Sequence, residues 1–135
     1  MKNIVITRSN NSPRIILDPE NRSISIKGRS NTCYTRNLYA PVLSQIALQF
    51  AGLPEVNLSL SLVHANTASV KWISEILEQL EIFQASGTIV TVIWNYEADD
   101  IDMMETGEVF QVIHQLPFVF NPVEANEFYN ELVAV

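Results

Sequence analysis

An alternating run occupies the middle of the chain and reads Val56-Asn57-Leu58-Ser59-Leu60-Ser61-Leu62-Val63. Its leucines recur at every second position, which is the period of a β-strand with one apolar face. The run breaks into His64-Ala65-Asn66-Thr67-Ala68-Ser69. A helical apolar stripe follows at once and contains Val70, Ile73, Ile76, Leu77, Leu80 and Phe83. A strand that runs directly into an amphipathic helix is typical of an α/β fold.

Patterns on the N-terminal side of this unit predict a hairpin and a helix. Two β-like runs, Arg14–Leu17 and Ser23–Lys27, flank turn-forming residues at 18–22, and Gly28 is predicted to end the second strand. Within residues 1–11, which read as a flexible or edge-strand segment, Ile4–Ile6 is the strand candidate. Apolar residues at helical spacing predict a helix between Thr35 and Phe50.

Patterns on the C-terminal side continue the alternation. Thr88–Trp94 is almost continuously apolar, which predicts a central strand covered on both faces. The acidic segment Glu97–Glu108 predicts a helix that reaches His114 or Gln115, and Pro117–Phe120 predicts a last strand. Glu124–Val133, within the terminal segment 121–135, predicts a closing helix. Strands joined by helices imply crossover connections, so we predict one α/β domain over residues 1–135, with helices packed on a single-layer mixed sheet.

Composition and charge exclude several classes of function. The 135 residues are 47% hydrophobic and carry a formal net charge of -7, with most of the basic residues in the first third. Clustered basic residues are what a phosphate backbone needs, so nucleic-acid binding is disfavoured, as is an anionic membrane surface. Cys33 is the single cysteine, and no run is long enough to span a membrane, so we predict a cytoplasmic protein.

Enzymatic readings of the sequence lack a confirming motif. His64 ends a strand near Thr67, but no nucleophile-elbow glycines accompany the pair. The acids between Glu97 and Glu108 do not have the spacing of a calcium loop, and either Asp99 or Asp100 is a simpler helix cap. The glycines are far apart in the sequence, so none of the known glycine-rich loops that bind phosphate is present. We therefore predict no catalytic residue, no metal and no cofactor.

The junction at residues 66–69 leaves three interpretations open: a helix cap, a ligand contact or a phosphorylation site. Asn66 or Thr67 can cap the following helix, an interaction worth about 1 kcal/mol. Composition alone favours the cap. A phosphate is also compatible, since it would add about -1.5 to -2 charges where the helix dipole favours an anion. Lys71, one turn further on, is available as a counter-ion.

Several short segments, in the same order and spacing, resemble the SiaC family of bacterial regulatory phosphoproteins between about Ser12 and Phe120. They include Ser12-Pro13-Arg14-Ile15, Gly28-Arg29-Ser30, Tyr39-Ala40-Pro41, Asn66-Thr67-Ala68-Ser69-Val70-Lys71, Trp94-Asn95-Tyr96-Glu97-Ala98-Asp99-Asp100 and Leu116-Pro117-Phe118. The resemblance implies an anti-anti-sigma-like (STAS-like) fold and a partner switch. It implies Thr67 as the phosphoacceptor, with Asn66, Ser69 and Lys71 as its neighbours.

The same resemblance implies three protein partners. They are a Ser/Thr kinase, a PP2C-type phosphatase and an effector that binds the unphosphorylated form, which in some systems is a diguanylate cyclase controlling biofilm formation. The chain departs from the family motif where Ala68 replaces a serine and where residues 31–34 replace Tyr-Pro-Glu-Asn. The predicted partner contacts are Arg29, Ser30, Asn31, Tyr34, Asp99, Asp100 and Asp102.

Three hypotheses follow from the sequence. The first is a non-enzymatic regulatory phosphoprotein that selects partners according to phosphorylation of Thr67. The second is a constitutive binding module that has lost the phosphoswitch, which the altered loop permits. The third is a small enzyme that uses His64, Thr67 or the acidic cluster.

Overall fold

A computed structural model describes residues 3–6 and 9–133, except for the side chain of Val133. Its six strands form one sheet in the order β1-β2-β3-β4-β5-β6. The strands are β1 (Ile4–Ile6), β2 (Arg14–Asp18), β3 (Ser23–Ser30), β4 (Glu55–Ala65), β5 (Ile89–Glu97) and β6 (Phe118–Val123). The helices are α1 (Thr35–Gln49), α2 (Thr67–Ala85), α3 (Ile101–Ile113) and α4 (Ala125–Val133). The α/β class and the order of elements predicted from the sequence are confirmed.

Sheet pairing is mixed, as the crossover pattern predicts. β1, β2 and β3 pair antiparallel, whereas β3, β4, β5 and β6 pair parallel to one another. The edge strand at Ile4–Ile6 is confirmed. The rest of the segment 1–11 is described only at residues 3 and 9–11, and residues 134 and 135 of the terminal segment lie outside the described part.

The main core lies between one face of the sheet and helices α1, α2 and α3. Alternate residues of β4 and β5 point into it, including Leu58, Leu60, Val92 and Trp94. The short α4 packs on the other face, where Phe128 and Leu132 form a separate cluster with Val63. Among the described residues, no helix combines the length and apolar character that crossing a membrane requires.

Two predictions about the strands are wrong. β5 is not covered along both faces, because the three crossover helices share one face and α4 reaches only part of the other. Ile89 is consequently exposed and Ile93 half-buried. β3 does not end at Gly28 but continues to Ser30. Gly28 has a φ of 125°, and the register with β4 shifts between Gly28 and Arg29, so glycine accommodates an irregularity inside the strand.

Candidate functional site

Asn66 is the N-cap of α2 and connects this helix to the preceding crossover loop. Its side-chain oxygen accepts a hydrogen bond from the backbone N–H of Ser69 at 2.8 Å. Its side-chain Nδ2 donates to the backbone carbonyl of Thr32 at 3.2 Å. Asn66, rather than Thr67, therefore supplies the cap that the sequence left open between them, and the side chain of Thr67 is free of that role.

The two hydroxyl groups of the junction differ completely in accessibility. Thr67 is the first residue of α2, and its side chain is exposed. Within the described part of the chain, its hydroxyl makes no hydrogen bond. Ser69 has 0% of its surface exposed. A modifying enzyme can therefore reach Thr67 in the folded protein, whereas Ser69 is enclosed.

Ser69 belongs to a buried chain of hydroxyl groups that joins α1, β3 and α2. The Ser69 Oγ donates to the Ser30 backbone carbonyl at 2.9 Å and accepts from the Ser30 Oγ at 2.7 Å. Because the Ser30 hydroxyl already donates its hydrogen to Ser69, it can only accept from Tyr39. The Tyr39 hydroxyl therefore donates to the Ser30 Oγ at 2.6 Å. Ser30, which the sequence included among the partner contacts, is fully buried and presents no surface to a partner.

This chain of hydroxyl groups leads to a prediction about alkaline pH. Burial raises the pKa of Tyr39 to about 12. The neutral form is therefore favoured in the folded protein. The stability associated with it is fully present below about pH 10 and is lost as pH rises toward about 12, by roughly 2–3 kcal/mol.

Urea unfolding of the wild type and of Tyr39→Phe, followed from about pH 8 to about pH 11.5, measures this effect. The variant is expected to be less stable by about 1 kcal/mol near pH 8, because it lacks one hydrogen bond. Its stability should then fall less steeply than that of the wild type above about pH 10. Parallel pH profiles for the two proteins would contradict the assignment.

Most of the other predicted contacts lie at one edge of the sheet. Because β3, β4 and β5 are parallel neighbours, the loops that follow them meet at their common carboxyl edge. The end of β3 and the loop that follows it present Arg29, Asn31 and Tyr34, all of which are exposed. The loop after β5 and the first turn of α3 present the exposed Asp99 and Asp102. Thr67 follows the strand between them.

Asp100 has a local structural role. Its carboxylate accepts from the backbone N–H of Met103 at 3.0 Å, which makes it the N-cap of α3. This confirms the helix-cap interpretation of the acidic segment for Asp100, as opposed to Asp99. The described residues contain no group of three or more His, Cys, Asp or Glu side chains arranged to hold a metal ion.

The structure gives no support to a His64–Thr67 pair. His64 is exposed on β4 beside Arg29, and no hydrogen bond joins it to Thr67 in the described part of the chain. The histidine that makes specific side-chain contacts is His114, whose ring is buried at the end of α3. Its Nε2 lies 2.7 Å from the Ser74 Oγ, and its Nδ1 lies 2.5 Å from a Glu81 carboxylate oxygen.

The Ser74–His114–Glu81 bridge connects α2 to the end of α3. The order of its groups resembles that of a nucleophile, a base and an acid. Ser74, however, lies well inside α2, where backbone N–H groups are used in helical hydrogen bonds and cannot form an oxyanion hole. We therefore interpret the bridge as structural. Sequence reasoning missed it because the three residues come from separate turns of two helices.

A cleft of about 420 Å³ runs between α2 and α3 and begins at Thr67. On the α2 side it is lined by Thr67, Val70, Lys71, Ser74, Glu75 and Glu78. On the α3 side it is lined by Val109, Phe110 and Ile113. The candidate phosphoacceptor thus lies at the mouth of a surface depression, with Lys71 on the same wall.

Comparisons with known proteins identify relatives along nearly the whole chain. The model of the SiaC family regulatory phosphoprotein matches residues 6–123. An uncharacterized protein of Pseudomonas aeruginosa strain UCBPP-PA14 is 27% identical over 119 residues, which are 87% of this chain and 94% of that protein.

Solved structures from Pseudomonas aeruginosa have the same fold. Apo-SiaC matches with a TM-score of 0.82 and 26% identity, over 90% of this chain and 99% of that one. A chain of the complex between the diguanylate cyclase SiaD and its activator SiaC matches with a TM-score of 0.84 and 25% identity, over 89% of this chain and 99% of that one. The family model, the sequence relative and the solved structures all match most of the chain, so the chain belongs to the SiaC family of regulatory phosphoproteins.

Proposed function

We propose that this chain is a non-enzymatic partner switch of the cytoplasm, whose choice of partner depends on phosphorylation of Thr67. The observation that carries the proposal is the contrast between the exposed hydroxyl of Thr67 and the buried hydroxyl of Ser69. Because Asn66 caps α2, modification of Thr67 removes no capping hydrogen bond. The helix can remain folded while its surface changes charge.

A phosphate on Thr67 would have favourable surroundings. It would stand at the N-terminus of a 19-residue helix, where the dipole favours an anion. Lys71 is exposed one turn later and lines the same cleft, so its ammonium group can approach the phosphate. Charge at the mouth of the cleft would change from positive to negative. A partner that reads this surface would therefore distinguish the two forms.

The proposed partners are a Ser/Thr kinase, a PP2C-type phosphatase and a diguanylate cyclase effector. SiaC of Pseudomonas aeruginosa is the activator of the diguanylate cyclase SiaD in their complex, which supports an effector of this class. Arg29, Asn31, Tyr34, Asp99 and Asp102 remain the proposed contacts at the carboxyl edge, because they are exposed. Ser30 and the capping Asp100 are proposed only to shape that edge.

Phosphorylation is tested by incubating the protein with ATP and a Ser/Thr kinase from the same cell. Mass spectrometry is expected to find one phosphate, on Thr67, and none in Thr67→Ala. Loss of this exposed hydroxyl should change the free energy of unfolding by less than about 0.5 kcal/mol. Ser44→Ala, an exposed hydroxyl on α1, is the matched control and should be phosphorylated like the wild type.

Phosphate at Ser44 or at scattered surface sites would contradict the proposal. Binding to the effector is then compared for the two forms, and we expect the phosphorylated form to bind more weakly. Equal affinity of both forms would instead favour a constitutive binding module, which the altered residues 31–34 permit.

A further inference from the structure

Helix α3 has a second apolar face that its own core does not use. Met103, Gly107 and Phe110 point inward and are buried. Val109, Val112 and Ile113 are 55%, 83% and 60% exposed, and their spacing places them on one continuous stripe. Exposed apolar side chains that are contiguous on a helix mark a surface for association.

This stripe forms one wall of the cleft that begins at Thr67. A second depression of about 470 Å³ shares Val109 and Ile113 with that cleft and extends across α3 to Val112. Along α2 the cleft runs from Thr67 to Glu78, which is about 16 Å at the rise of an α-helix. The continuous surface therefore has the length of about three turns of an added helix.

Charges around this surface are distributed unevenly. Glu75 and Glu78 line it on α2, and Glu105 and Glu108 line it on α3. At the opposite end, the N-terminus of α2 and Lys71 supply positive charge beside Thr67. The surface thus has an apolar floor, an acidic rim along most of its length and one positive end.

We propose that the α2–α3 cleft binds a basic amphipathic helix of a partner protein, antiparallel to α2. Apolar residues of that helix would occupy the cleft at helical spacing, with lysine or arginine side chains against the four glutamates. Its C-terminus, the negative end of its dipole, would lie at Thr67 and Lys71. The inference rests on the proposed partner-switch function and assigns the surface that performs it.

The arrangement also explains why phosphorylation would weaken binding. A phosphate on Thr67 brings about -1.5 to -2 charges to the positive end of the cleft. The C-terminus of the bound helix would then face an anion instead of a cation. Repulsion at that end would release the helix although the apolar floor is unchanged.

The probe is a synthetic, fluorescein-labelled helical peptide of about four turns, with a leucine stripe flanked by lysines and a free C-terminus. The matched peptide keeps the leucines and replaces each flanking lysine with glutamate. Fluorescence anisotropy should show the lysine peptide binding at least about tenfold more tightly. Amide NMR shifts should be confined to α2 and α3. A spin label on a side chain near the peptide C-terminus should broaden resonances near Thr67 rather than near Glu78.

Two aspartate substitutions locate the site. Val109→Asp and Val112→Asp should each weaken binding of the lysine peptide by about tenfold or more, because they place a charge on the apolar stripe. Leu48→Asp is the matched control, since Leu48 is 73% exposed on α1, away from the cleft. It should leave the affinity unchanged, and thermal melting should show that all three variants are folded.

Shifts scattered over the acidic surface, equal binding of both peptides, or equal effects of all three variants would overturn the proposal. Broadening near Glu78 would overturn the orientation. Self-association that is lost in Val112→Asp, without peptide binding, would reassign the surface to a second copy of this chain. These measurements use unmodified protein, so they can fail while the mass-spectrometric result at Thr67 stands, and the reverse holds as well.

Discussion

Gly107→Ala is expected to lower the free energy of unfolding by about 2 kcal/mol, although alanine is the better helix former. An added Cβ would lie 2.5 Å from Nε1 and 2.6 Å from Cδ1 of Trp94. Such distances require either the indole ring or α3 to move. Gly107 therefore lies where α3 packs directly against the Trp94 side chain, with no space for a Cβ.

Trp94 is held too firmly to withdraw. Its indole N–H donates to the Met103 carbonyl at 3.0 Å, and its ring packs edge-to-face on Phe110 with centroids 5.6 Å apart. Only 1% of its surface is exposed. Helix propensity would contribute about 1 kcal/mol in favour of alanine, but overpacking commonly costs 1–3 kcal/mol and a lost indole hydrogen bond adds about 1 kcal/mol.

Urea unfolding measures this effect, and Glu105→Ala, an exposed position on the same helix, is its control. The control should stay within about 0.5 kcal/mol of the wild type. A second background, Trp94→Phe, provides more room for the added methyl group. Gly107→Ala should cost markedly less there, so the two changes should be non-additive. Equal costs in both backgrounds would show that contact with the indole is not the cause.

His114→Ala is expected to cost about 3 kcal/mol of unfolding free energy. The substitution removes a buried ring that packs beside Phe110 and leaves a cavity at the end of α3. It also removes both hydrogen bonds of the bridge, so the hydroxyl of Ser74 and the carboxylate of Glu81 lose a common partner. Cavity formation accounts for most of the expected loss.

Two milder variants separate the components of the bridge. Ser74→Ala removes one hydrogen bond and should cost about 1 kcal/mol. Glu81→Gln keeps an oxygen that can accept from the Nδ1–H of His114 and should cost less than His114→Ala does. Unfolding curves should shift their midpoints at constant slope. A loss of less than about 1 kcal/mol for His114→Ala would mean that the bridge does not hold α3 in place.

Local periodicity was sufficient for the fold. The alternation of β4 and the stripe of α2 each report which residues face the core, and parallel pairing follows from the crossovers. Strand ends were less accessible. Glycine often marks the end of a strand, but Gly28 lies at a register irregularity within β3. Burial of the two faces of β5 depends on which face of the sheet the crossover helices occupy. The residues of β5 alone do not determine this.

The candidate site was only partly readable in the sequence. A helix start with two hydroxyl groups identified the junction, and the family resemblance selected Thr67. Burial of Ser69 and Ser30 depends on Tyr39, which approaches from another helix, so local pattern could not reveal it. The Ser74–His114 contact spans 40 positions, and no periodicity links residues so far apart.

The hydrogen bond from Asn66 to the loop after β3 has an evolutionary consequence. Its acceptor is the backbone carbonyl of Thr32, an atom that every amino acid supplies. Selection can therefore diversify the side chains at positions 31–34 while the loop keeps its attachment to the start of α2. Substitutions in this loop can therefore change its surface without detaching it from the start of α2.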